Sequence, residues 1–407
     1  MTGPKAGPRS SRTCFKKYSK MKILFVINNY YITGNGLSAS ARRTVKALRE
    51  AGHEVRILSG CGPDDPKPDY PLRKFRFPIF QPLIDSQGFS FAASTFEEVE
   101  EAVKWADVVH LEEVFVLQWK AIKAAGKWGK PVTGTYHLHP ENIFSSLGMG
   151  GWKGINRLMM KLWRKYIFND CLIVQCPTEN VQDRLRRYHF KSELRVISNG
   201  VIPDKCIRPE TPPQEYFDPE RPLEVICIGR LSREKDQQTL FEAMRYAQSA
   251  GRIRLTLAGK GPMEQEYRKI AHRLEQEGIL RYPVQFKFLD RNGLRELAAG
   301  ADLAIHCADI EVEGLSIMEA LQQGVVPIIA EGNRTGTSQF AMDRHSVFPK
   351  KNPEALANRI DYWLARPEAR WEMGKKLVKN MEQYNIGHSI EQLVQMFQDA
   401  IDMKKAQ

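Results

Sequence analysis

Two glutamates eight positions apart, Glu311 and Glu319, flank the apolar run of EVEGLSIMEA, with Gly314 between them. A carboxylate accepts hydrogen bonds from two neighbouring hydroxyls, which suits it to a sugar or a ribose and sets it against a phosphate. Upstream, GRLSREKD supplies Arg230 and Lys235 directly after an apolar run. Two cations there can clamp a diphosphate and neutralise the charge that builds on it as it leaves. The TGNG turn sets Gly34, Asn35 and Gly36 between an apolar run and a helical pattern. Such a turn lets backbone approach a phosphate, and the helix start offers N–H groups, although a plain chain reversal is an equal reading of a turn that lacks the full G-x-G-x-x-G fingerprint. His137 and His139 close GTYHLH. In an extended segment both project on one side, so alternation does not choose between them.

All of these residues fall where strands should end. MKILFVINNYY, HEVRILSG, DVVHLE, PVTGTYH and CLIVQC are short apolar or β-branched runs separated by helical text, and LSASARRTVKALREAG lies between the first two. Strand, turn, helix, strand is the parallel βαβ unit, so residues 21–202 form an α/β unit with a mostly parallel sheet. Residues 203–222 hold six prolines in twenty positions and read as a linker. LEVICIGR, RLTLAGKG, VQFKFL, DLAIHC and VVPIIAE then repeat the design over residues 223–384. Two doubly wound units joined this way face one another across a cleft at the carboxyl ends of their strands, where such folds bind ligands. Residues 385–407 form a final helix able to pack back on either unit. Residues 1–20, polar and basic without an apolar middle, read as a disordered extension rather than a secretory signal.

Glu311 and Glu319, with GRLSREK, AGKGP and SNGV, resemble the retaining glycosyltransferases of family 4, enzymes of the GT-B fold that use nucleotide sugars. The resemblance runs from Met21 to about ALANRIDYWL. It implies that Glu311 binds the donor sugar's hydroxyls and Glu319 the ribose, that amides near Gly314 and Leu315 face the sugar or phosphate, and that Arg230 and Lys235 hold the diphosphate. Asn35 and Gly36 match the family's paired-glycine loop, and His137 the histidine facing the reacting sugar. Glu313 and Asp236 depart from the pattern, the first adding a third carboxylate to the loop and the second replacing a glycine. The implied chemistry is transfer on one face of the sugar, with the leaving phosphate oxygen taking the acceptor's proton and no obligatory metal.

The remaining composition narrows the setting. The chain of 407 residues is 42% hydrophobic and 27% charged, which suits a globular protein, and no apolar run is long enough to span a bilayer. Seven scattered cysteines without a C-x-x-C pair argue against a disulfide framework or a zinc site and fit a reducing cytoplasm. A net charge of +12 implies an acidic partner. Residues 152–168, WKGINRLMMKLWRKYIF, set apolar residues at three- and four-residue steps against Lys153, Arg157, Lys161, Arg164 and Lys165 without one acid. That helix admits two readings, one packed on its own unit and one lying in an anionic membrane interface. Nothing resembles a nucleic-acid recognition motif. The expectation is a cytoplasmic enzyme on the inner membrane face that moves a hexose from a UDP-sugar to a lipid such as diacylglycerol. The alternatives are a family 4 enzyme of capsular or cell-surface glycan synthesis and a GT-B-like sugar-nucleotide epimerase.

Overall fold

The computed structural model describes residues 19–32, 36–77, 81, 89–145 and 152–407, so most of the expected extension and the turn residues Gly34 and Asn35 lie outside the described residues. The first sheet comprises β1 (Lys22–Val26), β2 (Glu54–Cys61), β3 (Tyr70–Phe75), β4 (Phe91–Ala93), β5 (Val108–Leu111), β6 (Val132–Thr135), β7 (Ile173–Cys176) and β8 (Glu193–Val196). Its order is β4-β3-β2-β1-β5-β6-β7-β8. All neighbours are parallel except β3 and β4, which pair antiparallel. The second sheet, wholly parallel, comprises β9 (Leu223–Ile228), β10 (Ile253–Ala258), β11 (Gln285–Lys287), β12 (Leu303–His306), β13 (Val326–Glu331) and β14 (Val347–Pro349), in the order β11-β10-β9-β12-β13-β14.

The central strands are buried on both faces, which is why they read as unbroken apolar runs. Leu24 and Val26 point into one core with the helices Phe96–Trp105, Val116–Lys127 and Lys153–Tyr166. Ile23 and Phe25, alternating to the opposite face, pack with the helices Gly36–Glu50 and Ile386–Lys405. The chain therefore returns from the second unit to complete the first. At that return Val201 and Asn385 bridge in parallel, with the Val201 N–H donating to the Tyr384 carbonyl at 2.9 Å and the Ile386 N–H to the Val201 carbonyl at 2.9 Å.

The proline-rich stretch lies on the second unit. The Arg208 guanidinium donates to the carbonyls of Ala299, Ala301 and Gly324, and Tyr216 accepts from Arg370 Nε at 2.8 Å.

In each sheet the strand order reverses once, between β1 and β5 in the first and between β9 and β12 in the second. Helices leave on opposite faces at that point and open a crevice at the carboxyl ends of the strands. The segments that follow these four strands carry Gly36, Glu112, Arg230, Lys235 and Glu311.

Candidate functional site

After β9 the chain runs alongside the loop that follows β10. The Gly229 N–H donates to the Ala258 carbonyl and the Leu231 N–H to the Lys260 carbonyl, each at 3.0 Å. A Cβ on Gly259 would stand 1.9 Å from the Gly229 carbonyl oxygen, and one on Gly261 2.1 Å from that of Leu231. The glycines of AGKGP thus let two backbones lie close enough to fix Arg230 at the crevice. A short turn of helix, Arg233–Lys235, then presents Lys235. Asp236 stands at φ 51°, in the left-handed region that glycine adopts most readily. Its carboxyl, pushed up to about 6 by burial, accepts from the Thr239 hydroxyl at 2.7 Å.

Glu311 is pinned by backbone on both sides. Its N–H donates to the Arg334 carbonyl at 2.9 Å and its carbonyl accepts from the Gly336 N–H at 2.8 Å. The side chain meets the Lys235 ammonium, and His306 Nε2 lies 3.6 Å from the same carboxyl oxygen. Burial would raise this carboxyl, but Lys235, with His306, holds it far below the usual carboxylate range. Gly314 turns the chain at φ 83°, where a Cβ would stand 2.2 Å from Thr337 Cγ2. Leu315 opens the helix Leu315–Leu321, so its amide belongs to a first turn whose N–H groups have no partner inside the helix. Glu319, on the same helix, points across the cleft to Arg43 of the first unit at 3.0 Å.

Opposite these groups, His137 Nε2 lies 2.8 Å from Glu112 Oε2. Glu112 is buried, which would raise its carboxyl, yet the charge of His137, with His110, brings it down to about 2. The two histidines stand in different surroundings. His137 is braced by a carboxylate at the end of β5, whereas His139 is fully buried against the Tyr136 hydroxyl at 3.1 Å. Burial, with Arg184 and Arg334 nearby, keeps the His139 imidazole well below its usual range.

Glu313 does not join Glu311. It accepts from the Ser198 hydroxyl and from the backbone and side-chain amides of Asn199, at 2.5, 3.1 and 2.6 Å respectively. Burial pushes its carboxyl up to about 7. This carboxylate therefore serves the SNGV loop at the crossing between the units. Thr178 adds a second tie, its hydroxyl donating to the Val312 carbonyl at 3.1 Å.

A cavity of about 560 Å³ lies between the units and is walled by Gly36, Arg42, Arg43, Leu315, Ser316 and Glu319 among others. It brings three of the expected binding residues together. Lys235, Glu311 and His137 lie outside its walls, and Asn35 outside the described residues. Sequence reading missed Glu112 and Arg43. The first was readable as a carboxylate at a strand end in DVVHLE, whereas a helical arginine carries no mark of a partner hundreds of positions away.

Paired crevices of two doubly wound units that face one another make the GT-B architecture. Residues 34–205 match Glycosyltransferase Family 4 and residues 210–382 match Glycosyl transferases group 1, so the chain belongs to the family 4 glycosyltransferases. It is 27% identical over 328 residues to the alpha-monoglucosyldiacylglycerol synthase of Streptococcus pneumoniae, covering 77% of this chain and 71% of that protein. It is 23% identical over 321 residues to a GDP-mannose-dependent alpha-mannosyltransferase of Mycolicibacterium smegmatis, covering 76% of this chain and 79% of that one. An Anabaena protein solved with UDP-glucose shares the fold at a TM-score of 0.67 and 17% identity, over 93% of this chain and all of that one.

Proposed function

We propose that this enzyme transfers a hexose, glucose by preference, from a UDP-sugar to a hydroxyl of a membrane lipid such as diacylglycerol, with retention of configuration. The observation that carries this reading is that Arg43 and Glu319 pair across the cleft between the two units, with Lys235 held on Glu311 in one unit and His137 on Glu112 in the other. The glucosyldiacylglycerol synthase relative supports the lipid acceptor, and the fold neighbour holding UDP-glucose supports the donor.

In this mechanism Arg230 and Lys235 bind the diphosphate, Glu311 the sugar hydroxyls and Glu319 the ribose. Asn35, Gly36 and the Leu315 amide serve the phosphates and sugar. The bond from the anomeric carbon to the diphosphate oxygen breaks, the acceptor oxygen bonds that carbon from the same face, and the acceptor proton passes to the departing phosphate oxygen. Catalysis rests on positioning and on the two cations, with Glu112 holding the His137 ring toward the reacting sugar. No metal is required by these steps. The basic helix Lys153–Tyr166 would rest on anionic lipid at the inner membrane face: Leu158 and Leu162 are exposed on it, and Trp152 just ahead of it.

The test supplies UDP-glucose and, separately, GDP-mannose, with vesicles of phosphatidylglycerol with and without dioleoylglycerol. An α-linked glucosyl lipid formed only with dioleoylglycerol is expected. Turnover yielding free hexose alone, or an epimerised nucleotide sugar, would sink the proposal.

A further inference from the structure

A second cavity, of about 810 Å³, opens at the carboxyl edge of the first sheet and takes no part in the donor site. Phe75, Phe91, Phe115, Trp119, Leu162 and Trp163 are among its walls. Five phenylalanines from three separate segments meet there edge to face or tilted, with ring centroids 4.7 Å apart for Phe75 and Phe77 and 5.0 Å for Phe91 and Phe115, Phe89 closing the set. The rim stays in solvent, Val116 being 68% and Trp119 40% exposed. A contiguous exposed apolar surface of this kind marks a binding site rather than scattered surface residues.

The chemistry of the walls selects the occupant. Asn28 donates to Glu113 and accepts from the Ala92 N–H, and the Lys120 ammonium is bound to the Ser94 carbonyl. These lining groups are satisfied within the protein, so the groove offers little to a peptide, whose backbone demands partners. A hydrocarbon chain demands none. The volume falls in the range of about 300–1,000 Å³ typical of small-ligand sites. One wall is the helix Lys153–Tyr166, whose other face is basic and complements anionic headgroups. Asn28, held by Glu113, stands among the walls where β1 ends.

We infer that this groove receives one acyl chain of the acceptor lipid while the helix lies on the membrane. The inference rests on the lipid-acceptor reading above. Its test uses the full chain and a diacylglycerol carrying a mid-chain diazirine, in vesicles of phosphatidylcholine and phosphatidylglycerol. Irradiation should place the label on peptides holding Phe91, Phe115 and Leu162, and Val116→Glu should cut that labelling about tenfold by setting a charge in the groove mouth. Position 116 is largely exposed, so folding is spared. The same variant should raise the KM for dioleoylglycerol and leave UDP release without acceptor unchanged. Label scattered over the surface, labelling unaffected by Val116→Glu, or equal labelling by a photoreactive phosphatidylcholine would overturn the inference. If no diacylglycerol is glycosylated, the lipid-acceptor reading fails, whereas labelling that misses the groove while glycosylation proceeds overturns this inference alone.

Discussion

Lys235→Ala separates the structural and chemical parts of the Lys235–Glu311 pair. The two side chains are 22% and 16% exposed, so the pair is largely shielded from water. Breaking a fully buried pair costs about 3–5 kcal/mol. With residual solvent screening and His306 still beside Glu311, a stability loss of about 2 kcal/mol is expected. Catalysis should suffer more, because removing one preorganised group aimed at developing charge costs about 2.7–4 kcal/mol, or a fall in kcat of about 10²–10³. Glu311→Gln in the same chain removes the stranded carboxylate and should restore most of the stability while kcat stays low. Urea unfolding and steady-state turnover of UDP-glucose measure the two quantities. A kcat within tenfold of the parent, or a double variant no more stable than Lys235→Ala, would refute the charge arrangement.

Glu319→Ala should weaken UDP binding about 10- to 100-fold, the worth of charge-assisted hydrogen bonds to a ribose, read by calorimetry. Arg43→Ala should change that affinity less than about fivefold, because Glu319 is 42% exposed and the ion pair across the cleft is a weak one. Gly314→Ala forces a non-glycine residue to φ 83° against Thr337 and should lower stability by about 1–3 kcal/mol together with activity, measured by thermal melting and turnover. Glu313 and Glu113, both raised to about 7 from an ordinary 4.5, contribute stability that is full below pH 4.5 and lost as pH climbs through 7. Glu313→Gln should therefore flatten the decline of the urea midpoint between pH 5 and about 7, and an unchanged slope would contradict the buried position of this carboxylate.

The central strands were legible because burial on both faces leaves only apolar residues there, and the strand-end motifs followed from them. The outlying strands β3, β4, β8 and β14 were not, since part-exposed strands such as YPLRKF and ELRV tolerate charges and lose the apolar signature. In the site, residue types at strand ends announced Arg230, Lys235, Glu311 and Glu319 as a set. What they touch depends on which strands neighbour which, and that order is a property of the fold. Glu313 shows the limit most clearly: two residues from Glu311 in the chain, it faces the opposite unit. His137 and His139 were likewise inseparable by alternation, and Glu112, contributed by another strand, distinguishes them.

Because Ile390, Val394 and Phe397 seal the face formed by Ile23 and Phe25, the first unit is not a continuous stretch of polypeptide. A fragment ending near residue 202 would bare an apolar sheet face and should aggregate. On the ribosome, that face must wait, only partly covered by the helix Gly36–Glu50, until residues 386–405 have been made.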